Sequence, residues 1–235
     1  MGSINRSRRK VLKLLGVAAA TPLIIRSGWV FGADKANVPS CIVRPRQTEG
    51  PYFVDERLDR SDIRSDPSDG SIRAGIPLQL TINVSRITPG ACAPFKDALV
   101  DVWHCDAAGV YSDVDDMSTT GKKFLRGYQV TDVGGKAEFM TIYPGWYPGR
   151  TVHIHFKIRT DFAARRGHSF TSQLYFDDAF TDRIHAQLPY AANGQRDMRN
   201  EDDMIFRDGG DQLILKPVKK EQGYAAVFDV GVQID

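Results

Sequence analysis

The sequence predicts an all-β fold, an antiparallel β-sandwich with long loops and at most one or two short helices. Three observations carry this. Apolar residues alternate with polar ones in short runs, as at Leu78, Leu80, Ile82 and Val84, so each run presents one apolar face. Turn formers separate the runs, among them Thr88-Pro89-Gly90, Asp106-Ala107-Ala108-Gly109, Gly134-Gly135 and Pro144-Gly145. Only residues 179–188 read as a helix.

Residues 1–36 read as an address and linker outside the fold. Ser7-Arg8-Arg9-Lys10-Val11-Leu12-Lys13 resembles a twin-arginine export signal, and an apolar run over residues 14–25 follows, broken by Gly16, Thr21 and Pro22. That run is too short to span a bilayer and suits the apolar region of a signal. The resemblance implies export to the periplasm or cell exterior through the twin-arginine translocation machinery. It also implies a mature protein without a stable membrane span.

The formal charge of +2 hides an asymmetry. Arg6, Arg8, Arg9, Lys10, Lys13 and Arg26 precede the first acidic residue, Asp34. Without residues 1–33 the chain holds 25 basic and 29 acidic side chains, a net −4. Residues 37–235, the expected domain, thus make no electrostatic case for nucleic acid. Self-association is compatible with the sequence.

Three cysteines, Cys41, Cys92 and Cys105, would sit in an oxidising space where a disulfide persists. If residues 97–104 are extended they span roughly 26 Å at about 3.3 Å per residue. The short return from Cys92 disfavours Cys92–Cys105, because a disulfide needs Cα atoms within about 7 Å. Of the other pairings, Cys41–Cys105 is preferred. No Cys-x-x-Cys spacing supports zinc.

In chain order, residues 55–73 are rich in Asp, Arg and Ser and read as a loop outside the core. Strands follow at residues 76–84 and 98–103, then a polar loop at 112–123. Residues 124–132 and 136–143 read as a hairpin about Gly134-Gly135. A strand at 169–176, the helix, a polar loop at 193–210 and a closing pair at 213–215 and 226–234 complete the chain.

Residues 151–159 carry the most informative pattern. Val152, Ile154, Phe156 and Ile158 face one way, and His153, His155 and Lys157 the other. Two imidazoles side by side on one strand face suit adjacent positions on a metal ion. A half-exposed strand with histidines on its wet face is the plainer alternative. His104, His168 and His185 have no partners at useful spacing and read as structural or surface residues. Asp101, within a strand, reads as paired or outward-facing.

Several motifs occur in one order: Thr48-Glu49-Gly50-Pro51-Tyr52, then Trp103-His104-Cys105-Asp106 leading to Tyr111, then Pro144-Gly145-Trp146-Tyr147-Pro148. Arg150-Thr151-Val152-His153-Ile154-His155-Phe156 and Gln173-Leu174-Tyr175-Phe176 follow. Together they resemble the intradiol ring-cleavage dioxygenases, in particular the protocatechuate 3,4-dioxygenase-like branch. The resemblance covers residues 47–176. It implies one Fe(III) per chain, held by Tyr111, Tyr147, His153 and His155, and a catecholic substrate cleaved by O2 between its two hydroxyl-bearing carbons to a cis,cis-muconate. Two phenolates, two neutral imidazoles and a hydroxide would neutralise a trivalent ion. The resemblance implies that Tyr147 leaves the metal and accepts a substrate proton, while Tyr111 stays bound. It implies that Arg150 stabilises developing negative charge beside the substrate and that Gln173 orients the site by hydrogen bonding. It also implies that Tyr52 contacts the substrate.

Two alternatives remain at this level. Residues 94–111 also resemble prealbumin-like sandwich domains that bind without catalysis in the cell envelope. An iron enzyme using two histidines and a carboxylate is the other, although His-Ile-His lacks the acidic neighbour this requires and leaves both tyrosines unexplained.

Overall fold

The computed structural model describes residues 41–162 and 169–233. The proposed signal and His168 lie outside them. Two sheets pack face to face around one core. The first contains β1 (Pro77–Thr88), β2 (Ala91–Pro94), β5 (Lys136–Ile142), β8 (Val218–Lys220) and β9 (Gly223–Val232). The second runs in the order β4 (Arg126–Val130), β3 (Leu99–Trp103), β6 (His153–Arg159), β7 (Ser169–Tyr175). One α-helix is present among the described residues, α1 (Asp178–His185), whose first turn is capped by the Asp177 carboxylate accepting from the Phe180 amide at 2.8 Å.

The expected alternation builds the core. Leu78, Leu80, Ile82 and Val84 of β1 meet Val100 and Val102 of β3 and Ile154, Phe156 and Ile158 of β6 in a single apolar cluster. Each such side chain, removed from water, contributes about 1.5–3 kcal/mol. The all-β two-sheet architecture is as expected. One pairing is parallel rather than antiparallel: β9 lies beside β1, with Leu78 opposite Tyr224 and Arg86 opposite Val232. Among the described residues no helix is long and apolar enough to cross a membrane.

Four local expectations are corrected. Residues 124–132 and 136–143 do not form a hairpin, because β4 pairs with β3 while β5 pairs with β1 in the other sheet. The Asp132 carboxylate accepts from the Gly134 and Lys136 amides, so the turn is well formed but serves as a corner between sheets. The closing pair is β8 with β9, whereas Ile214 bridges to Tyr175 in the second sheet. The polar arm contributes to the interior after all, since Ile63 is fully buried within the core cluster.

The disulfide is Cys41–Cys92, with Cα atoms 6.1 Å apart, and Cys105 is a buried free thiol. The reason is topological. Val43 bridges to Gly231 of β9, β9 runs beside β1, and β1 pairs its Ile87 with Cys92, so Cys41 and Cys92 meet at one end of the first sheet. Cys105 follows β3 in the second sheet, where its thiol points at the Gly145 carbonyl.

Candidate active site

The site is organised on β6. Both faces of this strand are buried, so the imidazole face is not a wet one: His153 and His155 are 2 % and 1 % exposed. Register places Trp103 of β3 and Gln173 of β7 on either side of His155, and Tyr175 beside His153. The Trp103 ring stacks on His155 with centroids 4.8 Å apart and planes 6° from parallel.

Two loops deliver the tyrosines. After β3 the chain turns at Asp106, whose carboxylate accepts from the Ala108 and Val110 amides, and leads into Tyr111. The Pro144–Tyr147 stretch lies against this turn, with the Gly145 amide donating to the Asp106 carbonyl at 3.1 Å. Glycine is required on both sides of the contact. A Cβ on Gly109, where φ is +81°, would lie 2.2 Å from the Trp146 carbonyl oxygen. One on Gly145 would lie 2.5 Å from the Asp106 and Ala107 carbonyl oxygens. The close approach sets the Tyr111 and Tyr147 rings 5.6 Å apart at 76°.

The donor atoms converge. The Nε2 atoms of His153 and His155 are 3.0 Å apart, and the Tyr147 hydroxyl is 3.3 Å from His153 Nε2. His153 Nδ1 lies 2.6 Å from the Thr151 carbonyl oxygen, which can only accept. The ring proton therefore sits on Nδ1, and the Nε2 lone pair faces the centre of the site. Tyr111 is completely buried, yet its hydroxyl makes no hydrogen bond of normal geometry. Burial and the nearby Tyr147 push its ionisation well above the ordinary phenol range. Burial likewise pushes the Tyr147 phenol up to about 12 and holds the His153 imidazolium down to about 3, with His155 well below its ordinary value.

Two lone-pair-bearing imidazoles and two phenols, one an orphaned buried hydroxyl, suit a hard cation that would displace both phenolic protons. Among the described residues no group of three or more His, Cys, Asp or Glu side chains is placed for a metal, so any metal site here depends on tyrosine.

Arg150 borders the same centre. Its Nη1 lies 3.5 Å from His153 Nε2, its Nη2 donates to Gln173 Oε1 at 2.6 Å, and its Nε donates to Asp203 Oδ2 at 2.8 Å. Gln173 is itself held by donation from Nε2 to the Thr48 carbonyl at 3.0 Å. Burial alone would raise the Asp203 carboxyl, but the Thr151 amide and Arg150 hold it below the ordinary carboxylate range. Asp203 is silent in the sequence because it sits in a polar stretch more than fifty residues from Arg150 and Thr151 and belongs to no recognisable motif.

The arm over residues 47–56 covers the imidazole face. A Cβ on Gly50 would touch His155 Cε1 at 3.4 Å, and the Tyr52 ring lies 4.5 Å from Tyr111 and 6.2 Å from Tyr147. The next two positions on the histidine face of β6 tie the arm down: Lys157 pairs with Glu49, and Arg159 pairs with Asp55 and Asp101. A buried guanidinium, Arg126, donates to the Tyr52 carbonyl at 2.5 Å and to Ser112 Oγ at 2.8 Å, joining arm and Tyr111 loop. In sequence it is indistinguishable from a surface arginine at a strand start. His104 and His185 lie elsewhere as structural residues, bonded to Thr141 and to the Pro144 carbonyl.

Residues 48–208 match the family model described as dioxygenase. The chain is 32 % identical over 144 residues to the protocatechuate 3,4-dioxygenase beta chain of Burkholderia cepacia, covering 57 % of this chain and 59 % of that one. It spans about half the length of the curated relatives it matches. Among solved structures, an intradiol ring-cleavage dioxygenase from Tetranychus urticae superposes with a TM-score of 0.70 at 32 % identity, covering 82 % of this chain and 95 % of that chain. The dioxygenase domain of a dioxygenase carbohydrate-binding protein fusion from Streptomyces sp. SirexAA-E superposes with a TM-score of 0.58 at 30 % identity, covering 83 % and 100 %.

Proposed function

The chain belongs to the intradiol dioxygenase family, and from that membership we propose that it is a non-haem Fe(III) enzyme that opens a catecholic ring between its two hydroxyl-bearing carbons. One catechol and one O2 would give one cis,cis-muconic acid, with both oxygen atoms retained. The observation that carries the reading is the convergence of two Nε2 atoms 3.0 Å apart with the Tyr147 hydroxyl, next to an orphaned Tyr111 hydroxyl. A non-catalytic binding module would leave this convergence unexplained.

Tyr111, Tyr147, His153 and His155 would hold the ion. When bound, it supplies a Lewis acid that draws electron density from the catecholic ring toward attack on O2. The rest belongs to the chain. Thr151 keeps the His153 lone pair facing inward through the Nδ1 bond. Tyr147 is half-buried, unlike the sealed Tyr111, and can swing aside to accept a substrate proton. Arg150 presents a fixed positive charge to developing negative charge, pinned through Nε and Nη2 with Nη1 turned toward the donors. Gln173 and the arm hold that geometry and exclude water.

The test is to load the purified protein with iron in air, record the visible spectrum, and follow O2 uptake with a panel of catechols. A red-brown tyrosinate charge-transfer band and stoichiometric muconate are expected. A colourless protein would sink the ligand assignment, and a semialdehyde product would sink intradiol cleavage.

We further read residues 1–36 as a twin-arginine export signal, a reading supported by a disulfide of the kind that persists in oxidising compartments. Replacing Arg8 and Arg9 by lysine should retain the protein in the cytoplasm with Cys41 and Cys92 as thiols. Cell fractionation with thiol titration checks this, and unchanged export of the variant would refute it.

A further inference from the structure

We propose that Asp203 is a positioning residue, fixing Arg150 directly and His153 through Thr151. The inference rests on the function proposed above only for its claim that those two groups matter.

The Asp203 carboxylate is 2 % exposed, a costly place for a charge unless its lone pairs are filled. Four donors fill them. Oδ1 accepts from the amides of Ile205 and Phe206 at 2.7 and 3.3 Å, which anchors the carboxylate to its own chain segment. Oδ2 accepts from Arg150 Nε at 2.8 Å and from the Thr151 amide at 2.9 Å. One oxygen thus faces the fold and the other faces the site.

Each bond on the site side has a consequence. With Nε held by Asp203 and Nη2 held by Gln173, the guanidinium plane is fixed and Nη1 is the nitrogen left facing His153. Thr151 is gripped twice by the same stretch, through its amide to Asp203 and through its hydroxyl to Asn200 Oδ1 at 2.6 Å. The Thr151 carbonyl in turn accepts from His153 Nδ1 at 2.6 Å and so selects the tautomer that turns the Nε2 lone pair inward. One carboxylate therefore sets both the direction of a cation and the tautomer of the imidazole that the cation faces.

The experiment compares the full chain with its Asp203→Asn variant, which keeps the shape and removes the charge. Nitrogen-15 NMR on the metal-free protein reads two signals that need neither metal nor turnover. Wild type should show a slowly exchanging Arg150 Nε–H and a single Nδ1–H tautomer at His153. The variant should show fast exchange at Arg150 and a tautomer mixture at His153. On the iron-loaded protein, kcat with catechol should fall about tenfold or more, as expected when a catalytic group loses its orientation, while KM changes less. In an Arg150→Gln background the same substitution should lower kcat by a smaller factor than in the wild type, because the part of the loss carried through Arg150 is already gone and only the part carried through Thr151 and His153 is left.

Unchanged NMR signals, or losses that multiply across the two backgrounds, would overturn the proposal. Should Asp203→Asn not fold, the wild-type spectrum decides alone: a rapidly exchanging Arg150 Nε–H or a His153 protonated at Nε2 refutes it. A chain inactive on every catechol would defeat the proposed function, while the NMR signals would still decide whether Asp203 positions the two groups.

Discussion

A methyl group on Gly109 would lie 2.2 Å from the Trp146 carbonyl oxygen, at a backbone φ of +81°. Gly109→Ala should therefore lose about 2–3 kcal/mol, combining left-handed strain of about 1–2 kcal/mol with displacement of a backbone neighbour that cannot yield locally. Gly90→Ala is the control. It has φ +77° with nothing within 4 Å, and should lose only about 1 kcal/mol. Urea titration of both variants checks the difference, and equal losses would mean that the Gly109 contact yields easily. Because the same contact spaces Tyr111 and Tyr147, the Gly109 variant should also bind iron more weakly than the control. At this scale the sequence is informative where a residue belongs to a local motif. Tyr111, Tyr147, His153 and His155, named from motifs, do lie in one cluster. Asp203 and Arg126 are silent because the bonds that tie them to the site reach partners as far as 52 and 74 residues away.

At the scale of elements, periodicity predicts strands well and their partners poorly. The alternation in β1 and β6 identifies the core faces, since a strand's side-chain period is independent of its neighbours. The β4–β5 turn has the local chemistry of a hairpin, yet its strands lie in different sheets, β4 pairing with β3 and β5 with β1. The expected disulfide fails for the same reason. The ends of the real one are brought together by the parallel β1–β9 pairing, and a pairing between strands at opposite ends of a chain leaves no trace in local spacing. The second face of β6 is buried, which sets aside the plainer reading of histidines on a wet face. Lys157 and Arg159 attract an acidic arm, and that arm roofs over the histidines.

For the molecule as a whole, the buried His104 contributes to the acid response of the metal-free protein, beside the carboxylates held low by their partners. Burial holds His104 down to about 4 while it bonds Thr141 and the Cys105 carbonyl. The unfolded chain takes this proton near pH 6.5, whereas the native state refuses it until about pH 4. The unfolded state thus binds more protons in this window. Stability is fully present above pH 6.5 and is lost as pH falls toward 4, by about 3 kcal/mol from this group. Denaturant titrations at pH 7 and pH 4.5 should show a loss that is smaller in His104→Asn, and identical losses in both proteins would exclude His104 as the cause.

Glu49–Lys157 and β1–β9 join distant parts of the chain, as do two further tethers: the Tyr175 hydroxyl donates to Gln47 Oε1, and Arg44 Nε donates to the Asp229 carbonyl. Contacts of such long sequence separation form late, after most of the loop entropy has been lost. During synthesis the roof of the site leaves the ribosome about a hundred residues before its floor, and the first sheet waits for the final strand. A nascent chain of half length has Tyr111 and neither histidine of the pair. The donor cluster is therefore assembled only when the fold brings residues 111 to 155 together, and on the function proposed above the four side chains would offer a metal ion a joint site only from that point.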